Sequence, residues 1–307
     1  MQLNGFHHLT AITADAPRNF KFYTQALGLR MVKKTVNQDD TSAYHLFYAD
    51  GLGSAGTDIT FFDWPAGPER RGTRSVVRTG FRIKGEKAFV WWNEHLKKLN
   101  IASEKIIHEN GRMTMYFEDF EGQRLSLVDD EIDSAAHTWS QSPVPAEFQI
   151  RGLGPITLSV PDLTQTNIVL TQVMGMKPAA RFDETFVYHM NGKGPVAELH
   201  VRVEPNLDEA RQGAGAVHHV AFNMPMDQYE AWANRLQTMR VPNSGPVDRY
   251  WFKSLYFREP SGILFELATD GPGFDADEPL EKLGETLSLP PFLESKRAAI
   301  EAKLKKL

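Results

Sequence analysis

The sequence predicts an α+β protein built from four copies of a βαβββ module. Three observations support this class. A short apolar strand with a His-His doublet occurs twice, in GFHHLTAIT from Gly5 and in GAVHHVAFNM from Gly215. A helical stretch and strand-like runs follow each doublet strand, and the same order occurs twice more between them. Residues that end helices, such as Gly28 and Gly175, follow the predicted helices.

The four modules differ in sequence but share this order. The first has a helix over residues 16–27 and the runs RMVKKTV, AYHLFYAD and DITFFDW. The second begins at VVRTGFRI, with the helix KAFVWWNEHLKKL and the runs SEKIIH, MTMYFED and RLSLVDD. The third begins at GPITLSV, with the helix LTQTNIVLTQVMG and the runs AARFD, TFVYHM and VAELHVRV. The fourth begins at VHHVAFNM and has the helix MDQYEAWANRLQTM, but only the runs SLYFRE and ILFELATD.

A proline-containing stretch, WSQSPVPAEFQIRG, separates the second module from the third and is the best candidate linker. We therefore predict an N-terminal domain over residues 1–140 and a C-terminal domain over residues 150–270, each with two modules. Residues 271–307 form a tail. Its last part, ESKRAAIEAKLKKL, predicts an amphipathic helix that packs on the protein.

Composition narrows the classes of function. The formal charge of −5, without a basic stripe, makes nucleic acid an unlikely partner. The absence of cysteine excludes disulfides, thiolate metal sites and cysteine nucleophiles, so any metal must be held by nitrogen and oxygen. We find no apolar run of membrane-spanning length and no signal peptide, and we expect a cytoplasmic protein without membrane partners. The stretch GLGSAG precedes a strand rather than a helix, so no dinucleotide site is predicted.

The repeated doublets and one glutamate are candidate metal ligands. Neighbouring residues of a strand point to opposite faces, so only one histidine of each doublet is expected to face a given interior. A single doublet is usually structural, but its recurrence favours function. Glu266 interrupts the apolar run ILFELATD, and a carboxylate buried there needs a partner such as an arginine or a metal ion.

A histidine on an opening strand and GILFEL on a closing strand, within βαβββ modules, resemble the vicinal oxygen chelate superfamily. This superfamily includes glyoxalases, bleomycin-resistance proteins and extradiol ring-cleaving dioxygenases. The resemblance implies that modules pair into two cupped, barrel-like mixed sheets. It also implies that the ligands are the second histidine of each doublet, His8 and His219, together with Glu266.

Two imidazoles and one carboxylate are the ligand set of non-haem Fe(II) oxygenases and leave positions open for substrate and O₂. We therefore expect Fe(II), a small aromatic substrate and O₂. Mn²⁺ or another divalent ion can occupy such a site in the purified protein, because the order of metal affinities alone does not select iron.

A glyoxalase-like site in this superfamily takes a fourth ligand from the closing strand of the partner module. Gly262 precedes Glu266 by four residues, and the same count from Gly56 leads to Thr60, which is not such a ligand. This departure argues against isomerase chemistry. If His8 and His219 share one ion, module one must pair with module four, and module two with module three.

Modules two and three offer no matching ligand set. Arg78 and Pro155 stand near the histidine positions, and Ser126 stands at the glutamate position. Glu198 and His200 share one strand face, but we expect one metal ion per chain.

The doublets together with YHLFYADGLGSAGTDITFF and the closing DGPGFDADEP resemble, more narrowly, the hydroquinone-specific ring-cleaving dioxygenases. That resemblance implies that Arg249 and Tyr256 line the site. It also implies that further site positions beside the ligands are His7, His218 and Thr10. Read without it, Arg249 predicts a surface ion pair with Asp248 or Glu259, Tyr256 a core aromatic residue, and His45 a structural histidine.

The sequence thus favours an Fe(II)-dependent, extradiol-type ring-cleaving dioxygenase acting on a hydroquinone or a catechol. Two alternatives stay open: a metal-dependent isomerase or lyase of the glyoxalase type, and a protein that binds an aromatic ligand without catalysis. The preferred ring substituents, the bound metal and association into homo-oligomers are not determined by the sequence.

Overall fold

The computed structural model describes residues 1–132, 136–192 and 194–307. Its strands in modules one and two are β1 (Phe6–Thr13), β2 (Arg30–Val36), β3 (Tyr44–Ala49), β4 (Asp58–Asp63), β5 (Ser75–Ile83), β6 (Ile107–Glu109), β7 (Arg112–Glu118) and β8 (Arg124–Asp129). Those in modules three and four are β9 (Leu153–Val160), β10 (Lys177–Phe182), β11 (Thr185–His189), β12 (Glu198–Val203), β13 (Val217–Met224), β14 (Val247–Asp248), β15 (Phe252–Arg258) and β16 (Leu264–Pro272).

Each module places its helix after its opening strand. The helices are α1 (Ala16–Lys21), α2 (Gly85–Lys98), α3 (Thr164–Ile168), α4 (Tyr229–Thr238), α5 (Pro291–Glu294) and α6 (Arg297–Glu301). In modules one and three the helix continues as a π-helical segment, over Phe22–Ala26 and Val169–Val173. Short 3₁₀ turns occupy Ala146–Phe148, Pro195–Ala197, Met226–Gln228, Phe274–Ala276 and Leu280–Lys282. Across the described part of the chain, no helix has the length and apolar character needed to cross a membrane.

The strands form two curled, mixed sheets of eight strands each. The first has the order β14-β15-β16-β13-β1-β4-β3-β2, and the second has the order β10-β11-β12-β9-β5-β8-β7-β6. The predicted α+β class with two cupped sheets is confirmed.

The antiparallel seam between β1 and β13 joins modules one and four, and the seam between β5 and β9 joins modules two and three. This is the pairing that a shared metal ion requires, and it is confirmed. Each sheet therefore takes one module from each half of the chain. The division into residues 1–140 and 150–270 stays a prediction.

The main hydrophobic core holds the helices against the sheets. In α2, residues Ala88, Phe89, Trp92 and Leu96 are fully buried, and their spacing puts them on one face of the helix. Burying one such large side chain contributes about 1.5–3 kcal/mol.

The fourth module and the tail differ from the sequence-based prediction. The strand that the sequence analysis did not find in module four is β14, which lies between the helix and β15. It has only two residues and carries no hydrophobic pattern. Of the helix predicted over ESKRAAIEAKLKKL, only the short α6 forms, and a second short helix, α5, comes just before it. They pack on the protein as expected, because Leu293 and Ile300 are buried against Val36 of β2.

A buried lysine fastens the start of the tail to the first sheet. Lys33 of β2 is fully buried, and its Nζ donates to the backbone oxygen of Phe274 at 2.9 Å and to Asp277 Oδ1 at 2.8 Å. The same ammonium group forms an ion pair with Glu278 and lies 5.0 Å from the ring centre of Trp251. Two carboxylates and an aromatic ring thus compensate the desolvation of this charge.

Candidate metal centre

The first histidine of each doublet is the extra residue of a β-bulge. Phe6 and His8 of β1 lie opposite two adjacent residues of β13, 222 and 221, so His7 has no partner residue. Likewise, residues 10 and 11 of β1 lie opposite residues 219 and 217, so His218 has none. The expectation that strand alternation sends the two histidines of a doublet to opposite faces is wrong here, because a bulge interrupts the alternation and re-aims a side chain.

As a result, the two rings of each doublet touch. The Nδ1 atoms of His7 and His8 are 2.8 Å apart, and those of His218 and His219 are also 2.8 Å apart. Burial, followed by the charge of the neighbouring histidine, lowers the pKa of both His7 and His218 to about 3. A neutral first histidine can accept the Nδ1 proton of the second, and with this assignment the Nε2 lone pair of the second stays free for a metal ion.

Three buried side chains converge at one point. His8 Nε2 and His219 Nε2 are 3.3 Å apart, and Glu266 Oε2 lies 3.2 Å from the first and 2.9 Å from the second. All three side chains are at most 5% exposed. Within the described ranges, this is the one group of three or more histidine or acidic side chains close enough to hold a metal ion.

Glu266 fits a metal ligand better than it fits a hydrogen-bond acceptor. Its Oε1 accepts from Ser254 Oγ at 2.5 Å, whereas its fully buried Oε2 lacks a hydrogen-bond donor among the described residues. Burial would raise the pKa of this carboxyl, but the adjacent His8 and His219 hold it well below its usual range. A buried, ionised oxygen beside two imidazole nitrogens is the arrangement that a divalent cation satisfies.

The strand register identifies the position of the fourth ligand. Leu9 and Val220 follow the two doublets and pair with residues 59 and 265, so the next residues, Thr60 and Glu266, are structurally equivalent. This agrees with the equivalence predicted from the sequence. The site therefore offers two nitrogens and one carboxylate oxygen, with a threonine at the fourth position.

Thr60 takes part in a hydrogen-bonded chain instead. Its Oγ1 lies 2.8 Å from Thr10 Oγ1 and 2.9 Å from His45 Nε2. Burial, followed by the charges of His8 and His219, places the pKa of His45 well below its usual value. His45 was expected to be structural, but it lines the cavity beside the ligands.

Arg249 and Tyr256 line the same cavity. Arg249 Nε donates to Tyr256 Oη at 3.2 Å, and its Nη2 donates to Asp39 Oδ2 at 2.9 Å. The ion-pair partners predicted without the resemblance, Asp248 and Glu259, were wrong. Burial, followed by the charge of Glu266, raises the pKa of the Tyr256 hydroxyl, so this group stays protonated and can donate a hydrogen bond.

The cavity in front of the candidate ligands is lined by aromatic and polar side chains together. Its lining residues are His8, Thr35, Val36, Asn37, Gln38, Asp39, His45, Phe47, Phe62, His219, Arg249, Trp251, Phe252 and Tyr256. Sequence reasoning did not identify Asp39 and Ser254, and it interpreted His45 as a structural histidine. No local signal identifies them, because Asp39 lies 210 residues from the arginine it contacts and Ser254 meets Glu266 across a strand pair.

In the other group that the sequence analysis considered, Glu198 and His200, the carboxylate forms an ion pair with an arginine. Glu198 accepts from Arg112 Nη1 at 2.7 Å and from Nη2 at 2.9 Å, and its contact with His200 Nε2 is longer, at 3.4 Å. A bidentate arginine satisfies this carboxylate without a metal ion.

Replacing His7 by phenylalanine is expected to weaken metal binding about 10- to 100-fold without unfolding the protein, because His8 loses the group that fixes its tautomer. Isothermal titration of Mn²⁺ into the metal-free variant, after the chelator has been removed, measures this loss of affinity. His108→Phe, on the exposed strand β6, is the matched control and should bind as the wild type does. Unchanged affinity in His7→Phe would show that the contact between the two Nδ1 atoms does not support the site.

The comparisons with known proteins agree with this fold. Residues 5–127 and 152–267 match the model of the Glyoxalase/Bleomycin resistance protein/Dioxygenase superfamily. A protein of Bacillus subtilis (strain 168) named "Putative ring-cleaving dioxygenase MhqA" is 45% identical over 313 residues, covering 99% of each chain. The chlorohydroquinone/hydroquinone 1,2-dioxygenase of Sphingobium indicum is 27% identical over 309 residues, covering 95% of this chain and 93% of that one. A crystal structure of a "putative dioxygenase" from Bacillus subtilis superposes with a TM-score of 0.93 at 33% identity, covering 99% of this chain and 97% of that one.

Proposed function

The chain belongs to the Glyoxalase/Bleomycin resistance protein/Dioxygenase superfamily, and we propose that it is an Fe(II)-dependent ring-cleaving dioxygenase of the extradiol type that acts on hydroquinones. The observation that carries this proposal is the convergence of His8, His219 and Glu266 with Thr60 at the fourth position. The relatives named as ring-cleaving dioxygenases support the reaction class, and the one named for hydroquinones supports the substrate.

Fe(II), which His8, His219 and Glu266 would hold, would offer open coordination positions and supply the redox chemistry that O₂ activation needs. The protein's own residues then have three tasks. They hold the metal, they orient a flat neutral ring, and they control protons at its hydroxyl groups.

The walls of the cavity suit a flat ring. Phe47, Phe62, Trp251 and Phe252 enclose it on several sides, and such surfaces orient an aromatic ring and exclude water. In a hydroquinone the second hydroxyl lies across the ring from the first, so a group at the far end of the cavity must receive it.

Arg249 and Tyr256 are suited to the hydroxyl groups of the substrate. The guanidinium group favours the ionised form of a nearby hydroxyl and stabilises negative charge that develops on the ring. Asp39 fixes its orientation through the contact of 2.9 Å. The protonated Tyr256 hydroxyl and His45 are candidates to donate and accept a proton during cleavage.

Extradiol cleavage breaks the bond between a hydroxyl-bearing ring carbon and a neighbour without a hydroxyl group. Cleavage of a hydroquinone between carbons 1 and 2 breaks a bond of this kind, because its hydroxyl groups are on carbons 1 and 4. The name of the Sphingobium indicum relative is therefore compatible with the proposed type.

The test is oxygen uptake after anaerobic reconstitution with Fe(II), with methylhydroquinone and catechol compared side by side. We expect iron-dependent uptake with methylhydroquinone, matched by loss of its aromatic absorbance, and no uptake in a chelated control.

Two outcomes contradict the proposal. Turnover of a thiol adduct without O₂ would identify an isomerase of the glyoxalase type. Ligand binding that is equally tight after chelation, with no uptake, would identify a binding protein.

A further inference from the structure

The second sheet contains a counterpart of the metal cavity in which the ligands are replaced. Arg78 of β5 takes the place of His8, with Val77 as the extra residue of an equivalent bulge. Ser126 takes the place of Thr60, because residues 80 and 126 pair as residues 10 and 60 do. Tyr116 faces Ser126 across the strands as Tyr256 faces Glu266. The equivalence of the two sheets thus puts a guanidinium group where the first sheet has a metal ligand.

Two spaces adjoin these residues. A small inner cavity of about 30 Å³ is lined by residues that include Arg78, Tyr116, Ser126, Pro155 and His200. Arg78 and Tyr116 also line an adjoining outer cleft of about 680 Å³. Ligand pockets have volumes of roughly 300–1,000 Å³, so the outer cleft is of ligand size.

Arg78 has hydrogen-bonding capacity to spare. Its guanidinium carbon lies 3.8 Å from the ring centre of Tyr116, and its Nη1 donates to the backbone oxygen of Leu125 at 3.2 Å. Within the part of the chain that the structure describes, no carboxylate lies within 4.0 Å of this group. Burial, followed by the charge of Arg124, lowers the pKa of Arg78 to about 10, which is the sign of a cation without sufficient compensation.

A second donor in the inner cavity is also unused. Arg112 is buried, and its two terminal nitrogens bind Glu198, but its Nε lacks a partner among the described residues. A buried donor without an acceptor costs free energy, and the inner cavity of about 30 Å³ leaves room beside Arg112 for a small group only.

The other charges around the cleft largely compensate one another. Arg124 binds Glu69, and the two remaining arginines of the outer cleft, residues 71 and 202, bind glutamates 118 and 204. Glu109 lines both cavities, and its carboxylate accepts a hydrogen bond from the Tyr116 hydroxyl. Arg78 is thus the arginine of the outer cleft that has no carboxylate within 4.0 Å among the described residues, while Glu104 and Glu109 act on its charge from further away.

We propose that the outer cleft at Arg78 is a second ligand site, which binds a small planar monocarboxylate. The carboxylate group of the ligand pairs with the guanidinium of Arg78, and the apolar body of the ligand lies against Tyr116 and Phe182. One unpaired guanidinium group matches one negative charge, and the flat walls match a conjugated or aromatic body. This site needs no metal ion, and it does not depend on the proposed reaction.

The test is calorimetric titration of the full chain, as purified, with benzoate, benzamide and inorganic phosphate. We expect one benzoate per chain, and binding of benzamide and of phosphate weaker by about tenfold or more, since a charged hydrogen bond is lost or the flat body is missing. This comparison needs no variant. Equal binding of benzoate and benzamide, or no binding of benzoate, would overturn the proposal, and tighter binding of phosphate would overturn the class of ligand.

Variants locate the site. Arg78→Met is expected to weaken benzoate binding about tenfold or more, and Arg78→Lys should retain part of it. Arg70→Met removes an arginine whose side chain is 56% exposed, and it should leave benzoate binding unchanged. Arg249→Met, in the metal cavity, should also leave benzoate binding unchanged. Weaker binding in Arg249→Met together with unchanged binding in Arg78→Met would move benzoate to the metal cavity and contradict the proposal.

Discussion

Replacing Glu266 by glutamine is expected to remove bound iron and ring-cleaving turnover together. The variant keeps the shape of the side chain but loses the anionic oxygen that lies 2.9 Å and 3.2 Å from the two Nε2 atoms. Loss of a group that only orients a ligand costs roughly 10- to 100-fold in metal affinity. Loss of a ligand itself should therefore cost at least about 100-fold.

Two measurements should change in parallel. The iron content after reconstitution and gel filtration should fall to background, and oxygen uptake with methylhydroquinone should fall with it. In the wild type, added Mn²⁺ should raise the midpoint of thermal unfolding because it binds the folded state, and this rise should be absent in Glu266→Gln.

Glu259→Gln is the matched control. Glu259 is also a buried glutamate, but it accepts from Thr166 Oγ1 at 2.7 Å and does not line the cavity. This variant should keep its metal and its turnover. A Glu266→Gln protein with full iron occupancy and wild-type turnover would disprove the ligand assignment.

Replacing Lys33 by methionine is expected to lower the free energy of unfolding by about 3–5 kcal/mol. The change removes the fully buried ammonium group and leaves the carboxylates of Asp277 and Glu278 near it without their cation. Removing one partner of a buried ion pair is costly because the other charge stays desolvated.

Urea unfolding of the metal-free protein, followed by circular dichroism, measures this loss. Lys34→Met is the control, because the neighbouring Lys34 Nζ donates to the backbone oxygen of Glu285 at an exposed position. Its effect should stay within about 0.5 kcal/mol. A double variant, Lys33→Met with Glu278→Gln, should recover part of the stability. A loss below about 1 kcal/mol in Lys33→Met would mean that the tail does not depend on this lysine.

The pairing of modules follows for a physical reason from the candidate ligand set that the resemblance implies. Two histidines and one carboxylate cannot share an ion unless the strands that carry them are neighbours, so the doublets determine that β1 lies beside β13. The same reasoning located Thr60 as the residue equivalent to Glu266, because parallel strands of the same module type keep one register.

The doublets also show where sequence reasoning fails. Strand alternation predicts opposite faces for His7 and His8, but one extra residue reverses that prediction, and no residue type in this segment marks the bulge. The contact between Asp39 and Arg249 is equally hidden, because it joins a loop after β2 to the residues before β15. The two-residue strand β14 has no periodicity that could reveal it.

The topology of the two sheets has a consequence for the order of folding. Arg82 of β5 binds Leu153 of β9 across 71 residues, whereas His8 and His219 meet across 211 residues. Closing the longer loop costs about 1 kcal/mol more conformational entropy, and distant strand pairs form slowly. We therefore expect the second sheet to form early and to act as the template on which the terminal modules meet. The sheet that carries the candidate metal ligands would then be the last part of the chain to form, and a metal ion could bind there only after the rest of the protein has folded.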